Sequence, residues 1–309
     1  MTQNNTYVSA REVPWMKLGK VTDDHLTVEQ AVVEAGLDFT VSARPIQFQT
    51  ASGWKTADKR VAITRDSNDE LFEVVSADKY EIFQYAQAFE FIASVNPKIA
   101  AAGSMYGGRQ GFIAVQVPDV SPVLLPGIDP HDFYAIIRTS HNRTRAIEVS
   151  LMPVRGKCMN QLTLHTFAMK AEQRWSITHS KSAKAKLHDA QTVIANMREY
   201  AVEFEASVKT MIDTPVSADE GRTIVNKIVR ESPKHDETVD KILGLWKQDP
   251  AIIDYQDNGW GLVNAVSSYM DWERTGGNPT SRFTGSLSGS TRMAIEKTAN
   301  NVLRLASTR

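Results

Sequence analysis

The sequence predicts an α+β fold, in which a mixed or antiparallel sheet with flanking helices is built from β-β-β-α-like units and is followed by a mostly helical C-terminal region. Up to residue 180, segments with alternating apolar residues are separated by turn residues, which is typical of strands. Beyond residue 181, apolar residues recur at three- and four-residue intervals, which is typical of helices. We therefore expect a flexible tail over residues 1–12, an α+β core domain over 13–180 and a helical region over 181–309.

The first predicted unit is a short helix followed by three strands and a second helix. Residues 26–36 indicate the short helix, because Thr27 and Gln30 can form a capping box and Gly36 suits its C-terminal end. Alternation predicts strands over residues 39–49, 59–66 and 70–76, and a helix is expected over residues 83–95.

The second predicted unit contains a strand over residues 107–118 and a strand pair over residues 132–140 and 144–154. The pair is joined by the turn Ser140-His141-Asn142-Arg143. The last strand is expected to be half buried, with Ile147, Val149 and Leu151 on one face and Glu148, Ser150 and Met152 on the other. Asn160 is expected to cap a short helix over residues 160–171, and residues 174–180 favour no single structure.

The helical region begins with a predicted long helix over residues 181–212. Its apolar positions follow a three–four spacing and form one seam: Leu187, Ala190, Ile194, Met197, Ala201, Phe204, Val208 and Met211. The seam can pack on the same chain or on another subunit, and in the second case Met197 and Phe204 are the interface candidates. Ser217 and Glu220 predict a second capping box. Helices are expected over residues 237–248, 260–274 and 291–306, with a flexible loop over 275–289.

Composition and missing motifs exclude several classes of protein. The net charge is -1, and no stretch has the pattern of a signal peptide or the ~18 apolar residues of a membrane span. The single cysteine, Cys158, excludes an intramolecular disulfide and fits a reducing cytosol; we expect it to be buried and inert. Gly103, Gly107, Gly108 and Gly111 are expected to be turn glycines, because no nucleotide-binding motif surrounds them. No catalytic motif, metal or cofactor is indicated.

Positive charge is concentrated in the centre of the chain. Residues 138–188 carry a charge of +8, whereas the remainder carries -9. Such a segment can form an anion-binding groove, with Trp175 as a stacking platform, or a solvated face with scattered ion pairs. On the first interpretation the candidate DNA-binding residues are Arg138, His141, Arg143, Arg145, Arg155, Lys157, Lys170, Arg174, Trp175, His179, Lys181 and Lys184.

Three stretches resemble a known family. The stretches are the turn at residues 141–144, the Pro-Val-Arg-x-x-Cys-x-Asn run at 153–160, and residues 177–180 before a long amphipathic helix. They are similar to the phage and plasmid-like family called domain of unknown function 932. The resemblance extends from about residue 15 to 306. Where the family has Asp-Gly in the turn, this chain has Asn142 and Arg143, so Asn142 is expected to adopt the left-handed conformation. Thr178 replaces a family arginine, whose role is then unfilled or moved to Lys181.

The family resemblance implies a phage or plasmid protein in a bacterial cytoplasm. The β-β-β-α unit is also similar to the core of single-strand annealing proteins of the RecT and Redβ type. That second resemblance implies ATP-independent binding and annealing of single-stranded DNA in recombination or replication, by a homo-oligomeric ring or filament. The alternatives are a regulatory protein that acts on a protein partner, such as a counter-defence factor, and an enzyme with a nonstandard site.

Overall fold

The fold is α+β, as predicted. A computed structural model describes residues 20–21, 26–116, 123–125, 129–156, 159–171, 174–180, 183, 190–276 and 278–309. The described strands are β1 Lys20–Val21, β2 Val41–Thr50, β3 Gly53–Arg65, β4 Leu71–Ser76, β5 Lys98–Met105, β6 Gln110–Gln116, β7 Val123–Leu125, β8 Asp129–Ser140, β9 Ile147–Arg155 and β10 Arg174–Ile177. The described α-helices are α1 Val28–Glu34, α2 Tyr85–Glu90, α3 Ala190–Ile212, α4 Ala218–Asn226, α5 His235–Gln248, α6 Gly259–Ser268, α7 Pro279–Ser288 and α8 Ser290–Ser307.

The larger sheet is antiparallel and has the strand order β1-β5-β6-β8-β9-β10, with β7 paired to β8. The two faces of β9 were assigned correctly from the alternation, because Ile147 and Val149 join the main core while Met152 lies in a second cluster on the other side. The expectation of a half-buried strand was wrong, since all of β9 is buried. Phe283 and Leu287 of α7 belong to the second cluster and help to cover that face.

The smaller sheet has the order β2-β3-β4 and its own cluster of Val41, Ile63, Phe72 and Val75. Before it lies α1, whose Thr27–Gln30 capping box is confirmed, and Gly36 follows the helix with a left-handed φ of 64°. The strand predicted over residues 59–66 is much longer in the structure, where β3 begins at Gly53. β5 was missed. Gly107 and Gly108 form the turn between β5 and β6 with positive φ, as predicted, but Gly103 and Gly111 lie within β5 and β6 and are not turn glycines.

The seam of α3 packs on its own chain. Met197, Phe204, Val208 and Met211 are all buried, and the Phe204 ring contacts the rings of His131, Phe133 and Trp260. Met197 and Phe204 are thus both buried within the chain, and β8 and α6 cover Phe204, so neither side chain is exposed for the predicted subunit interface. Residues 181–182 and 184–189 of the predicted helix lie outside the described residues.

Two local predictions were wrong. Residues 279–288 of the expected loop form α7, which has Pro279 at its first turn and is capped by Asn278, whose side chain accepts from Ser281 N. Residues 160–171 are not helical: the Asn160 amide donates to Asn264 O and accepts from Trp272 Nε1 instead of capping a helix. Here tertiary hydrogen bonds replace local ones.

The main apolar core is continuous across residue 181, the expected domain boundary. One cluster contains Ile137 and Val149 of the large sheet together with Phe204, Val263 and Ala299 of the C-terminal helices. The Ser217–Glu220 capping box is confirmed at the start of α4. The division into two domains stays a prediction, but the two parts share a core.

Candidate nucleic-acid interface

Three of the predicted arginines converge on one carboxylate. Arg138 on β8 lies directly across from Glu148 on β9, and its Nη2 is 2.9 Å from Glu148 Oε1. Arg145 Nη1 is 3.5 Å from the same oxygen, and Arg174 on β10 pairs with Oε2. Arg138 and Glu148 are fully buried, while Arg145 and Arg174 keep 24% and 41% of their side chains exposed. We call these four residues the arginine cluster; its formal charge is +2.

The electrostatics of the arginine cluster reflect this excess of positive charge. Burial, together with the nearby charges of Arg145 and Arg174, lowers the pKa of Arg138 to about 9. Burial also lowers the pKa of Arg174, with additional contributions from Arg145 and Arg292. A single carboxylate therefore faces three guanidinium groups that repel one another.

The predicted histidines lie between the two sheets. His141 is fully buried against the rings of Phe39, Phe72 and Tyr85, and neither ring nitrogen has a hydrogen-bond partner among the described residues. Burial lowers the pKa of His141 to about 3, helped by His179. His179 stacks on Tyr80 with ring centroids 5.2 Å apart, and its Nε2 is 2.9 Å from Thr139 Oγ1. Both rings are structural links between the two sheets.

Burial removes several residues from the predicted DNA-binding set. Arg138 and His141 are inaccessible to a polymer, as is Arg155, which is fully buried and donates to Ala251 O at 2.7 Å. His179 is held by Thr139 and Tyr80, and half-buried Trp175 packs 5.7 Å from the Phe91 ring instead of offering a free stacking face. Burial therefore speaks against Arg138, His141 and Arg155 as contacts for a DNA strand, whereas half-buried His179 and Trp175 stay predictions.

Arg143, Lys170 and Arg174 are exposed, while Arg145 is partly exposed. Arg143, not Asn142, adopts the left-handed conformation in the turn, with φ 58°, because the Asn142 side chain accepts hydrogen bonds from Thr144. The remaining candidates, Lys157, Lys181 and Lys184, lie outside the described residues, as does Cys158.

The sequence interpretation missed an exposed two-stranded ribbon formed by the ends of β2 and β3. Residues 47–50 pair with residues 53–56, whereas β3 pairs with β4 only from Arg60 onward. We call residues 46–60 the ribbon. Phe48 and Trp54 are 49% and 68% exposed. Phe48 is opposite Lys55 and Trp54 is opposite Gln49, so the two aromatic side chains lie on opposite faces.

The ribbon is positively charged within a chain of net charge -1. Lys55, Lys59 and Arg60 are exposed, and Asp58 is the single acidic residue of this segment. A turn signal was available in the sequence, because Ser52-Gly53 separates two short runs that contain an aromatic residue, and Gly53 has φ 115°.

The comparisons with known proteins identify the family. The profile of the family described as "Domain of unknown function (DUF932)" matches residues 72–307. The chain belongs to the DUF932 family. The DUF932 match contains the whole arginine cluster and begins after the ribbon. No curated protein and no solved structure matches the chain, and nothing in the comparisons supports the resemblance of this DUF932 protein to RecT-type annealing proteins.

The described residues contain neither a candidate metal-binding group nor a candidate membrane-spanning helix. No group of three or more histidine, cysteine, aspartate or glutamate side chains in the described ranges could hold a metal ion. Within the same part of the chain, every helix is too short or too polar to cross a membrane.

Proposed function

We propose that this DUF932 protein binds single-stranded DNA without ATP, through the ribbon, and pairs complementary strands in phage recombination or replication in a bacterial cytoplasm. The observation that carries the proposal is the combination, on one exposed ribbon, of an aromatic side chain on each face with three basic side chains.

The aromatic side chains supply sequence-independent contacts. Trp54 and Phe48 are exposed to water, so a base can reach the ring on either face of the ribbon. Stacking of a base on such a ring contributes about 1–3 kcal/mol and accepts any base, because every base has a π-face.

The basic side chains supply contacts with the phosphate backbone. Lys55 is directly across from Phe48, so a strand stacked on Phe48 has an ammonium group beside it. Lys59 and Arg60 follow at the base of the ribbon, where Arg60 pairs with Ser76 at the end of β4. Each neutralised phosphate releases counterions, so binding of single strands weakens with salt.

The test is salt-dependent binding to fluorescent single-stranded oligonucleotides. We expect Lys55→Ala/Lys59→Ala/Arg60→Ala to reduce the slope of log K against log salt by roughly 0.7 for each lost phosphate contact. Its matched control is Lys227→Ala/Arg230→Ala/Lys234→Ala, which removes the same charges from exposed positions between α4 and α5 and should leave the slope unchanged.

The aromatic contacts are tested in the same assay. Trp54→Ala and Phe48→Ala should each weaken binding about five- to 150-fold, the loss expected of one stacked base. Phe167→Ala is the control, because Phe167 is equally exposed but lies far along the chain from the ribbon. Binding by ribbon variants that is as tight and as salt-dependent as that of the wild-type protein contradicts the proposal.

The second candidate function is regulation of a protein partner, such as a counter-defence activity. It is favoured by the outer edges of the ribbon, which no other described strand pairs, because an exposed edge can add a strand from another protein. Absence of oligonucleotide binding by the wild-type protein would favour this function over DNA annealing.

A further inference from the structure

The arginine cluster differs from an ordinary buried ion pair because its charge is not balanced among the described residues. Arg138, Arg145 and Arg174 contribute three positive charges, and Glu148 contributes one negative charge. The neighbouring Arg292 adds no net charge, because its Nε is 2.8 Å from Glu296 Oε1. Burying unbalanced charge is costly, so a cluster of this kind is stabilised when an anion joins it.

Donors in the arginine cluster are also left without acceptors. The Nε and Nη1 atoms of buried Arg138 have no hydrogen-bond partner among the described residues. The Ser150 hydroxyl lies on the same face of β9 as Glu148, across from Arg174. It is buried and also has no hydrogen-bond partner among the described residues. An oxyanion is the ligand that guanidinium and hydroxyl donors recognise.

The fold leaves a way into the arginine cluster. β10 is the last strand of the large sheet, so Arg174 lies at its edge and is partly exposed. Arg145 Nη1 is 3.3 Å from Ser288 Oγ, which places it at the corner between α7 and α8. The 18-residue helix α8 begins at this corner with Gly289 as N-cap, and no side chain caps its first amides. Its positive end adds to the attraction for an anion.

We propose that the arginine cluster binds a phosphate group, in its dianionic form, as a specific site. A dianion matches the formal charge of +2, and the planar guanidinium groups suit bidentate contacts with phosphate oxygens. The site accepts a terminal phosphate that enters from the β10 edge, whereas the buried position of Arg138 excludes a continuous phosphodiester chain. The inference does not depend on the proposed function, because none of these residues belongs to the ribbon.

The experiment is thermal unfolding of the full chain in phosphate-free buffer with added inorganic phosphate at constant ionic strength. We expect the midpoint to rise with phosphate, and the apparent unfolding constant to fall about 100-fold at 100 times Kd. Arg145→Gln and Arg174→Gln, both at partly exposed positions, should each weaken phosphate binding roughly tenfold or more. Arg222→Gln breaks an exposed pair with Asp240 and is the matched control.

Glu148→Gln gives an independent readout. This variant raises the unbalanced charge to +3, so we expect it to be less stable than the wild-type protein without phosphate and to gain more from phosphate. A variant that folds only in phosphate supports the site. The proposal is overturned if phosphate stabilises wild type no more than chloride does, if it stabilises Arg145→Gln/Arg174→Gln as much as wild type, or if it fails to stabilise Glu148→Gln.

The source of the phosphate group is distinguished by further arms of the same titration. Deoxyadenosine 5′-monophosphate is compared with inorganic phosphate, and a 5′-phosphorylated oligonucleotide is compared with its 5′-hydroxyl form. The ribbon variant Lys55→Ala/Lys59→Ala/Arg60→Ala should respond to inorganic phosphate as the wild type does. Failure of the ribbon hypothesis therefore leaves this result unaffected.

Discussion

Glu148 connects arginines that come from three segments of the chain. Alternation along β9 correctly predicted that Glu148 shares a face with Ser150 and Met152, because side-chain direction in a strand is a local property. It could not predict that this face is buried, since the residues that cover it belong to α7, more than 130 positions later. The excess positive charge of residues 138–188 was therefore visible in the sequence. That Arg138 points into a buried face was not.

His141 makes the stability of the fold sensitive to acid. The pKa of this histidine is about 3 in the folded chain and about 6.5 in an unfolded one, so the unfolded chain binds more protons between these values. Stability should therefore fall as the pH is lowered from about 6.5 towards 3, by an amount on the order of 4 kcal/mol from His141 alone. His179, whose pKa is also lowered by burial, contributes in the same direction.

The measurement is urea unfolding at several pH values between 7 and 4. His141→Phe removes the titrating ring from an aromatic environment, so its free energy of unfolding should depend less on pH than that of the wild type. His235→Gln is the control, because Asp236 raises the pKa of His235 and its contribution has the opposite sign. Equal pH dependence in wild type and His141→Phe would show that folding does not lower the pKa of His141.

At the scale of the element, α3 presents a buried face and an exposed face, and substitutions on the two should behave differently. Phe204 is fully buried, whereas Val202, two residues earlier, is 67% exposed. Phe204→Asp should prevent stable folding, because it buries an unpaired charge, and Phe204→Ala should cost about 3–5 kcal/mol. Val202→Asp is the control and should unfold at nearly the wild-type urea concentration. A folded Phe204→Asp protein that only dissociates would restore the subunit-interface hypothesis.

Local signals decided how well each element was predicted. The capping boxes of α1 and α4 identified helix starts because cap and helix lie within four residues. The Asn278-Pro279 start of α7 is an equally local signal, but the surrounding Gly, Ser and Thr residues favoured a loop. The helix predicted over residues 160–171 was wrong for the opposite reason. The hydrogen-bond partners of Asn160 are Asn264 and Trp272, about a hundred residues away.

At the scale of the whole molecule, one core joins the large sheet to the C-terminal helices, and the α3 seam is part of it. The remaining large apolar side chains that are exposed on the described surface, such as Val33, Val202 and Met293, come from different elements. Self-association, if it accompanies annealing, therefore has to use a surface other than the α3 seam. We expect it to depend on DNA, which holds several copies of the chain close together.

Light scattering with and without single-stranded oligonucleotides tests this expectation. Particles larger than a dimer should form on long oligonucleotides at micromolar protein, because ribbons from several copies can bind one strand. Short oligonucleotides that hold a single copy provide the control. A monomer on long oligonucleotides that are demonstrably bound would separate DNA binding from the ring or filament assembly proposed for annealing.

The ribbon has a consequence for motion. The ladder hydrogen bonds of residues 47–50 and 53–56 join these two stretches to each other, and no third strand in the described part of the chain pairs with them. Such bonds open through local fluctuations that cost much less free energy than global unfolding, so their amides exchange with solvent far faster than those of β8 or β9. A strand bound on either face, stacked on Phe48 or on Trp54, would restrict these fluctuations. The ribbon then loses conformational entropy when it binds, and part of the stacking energy is spent on ordering it.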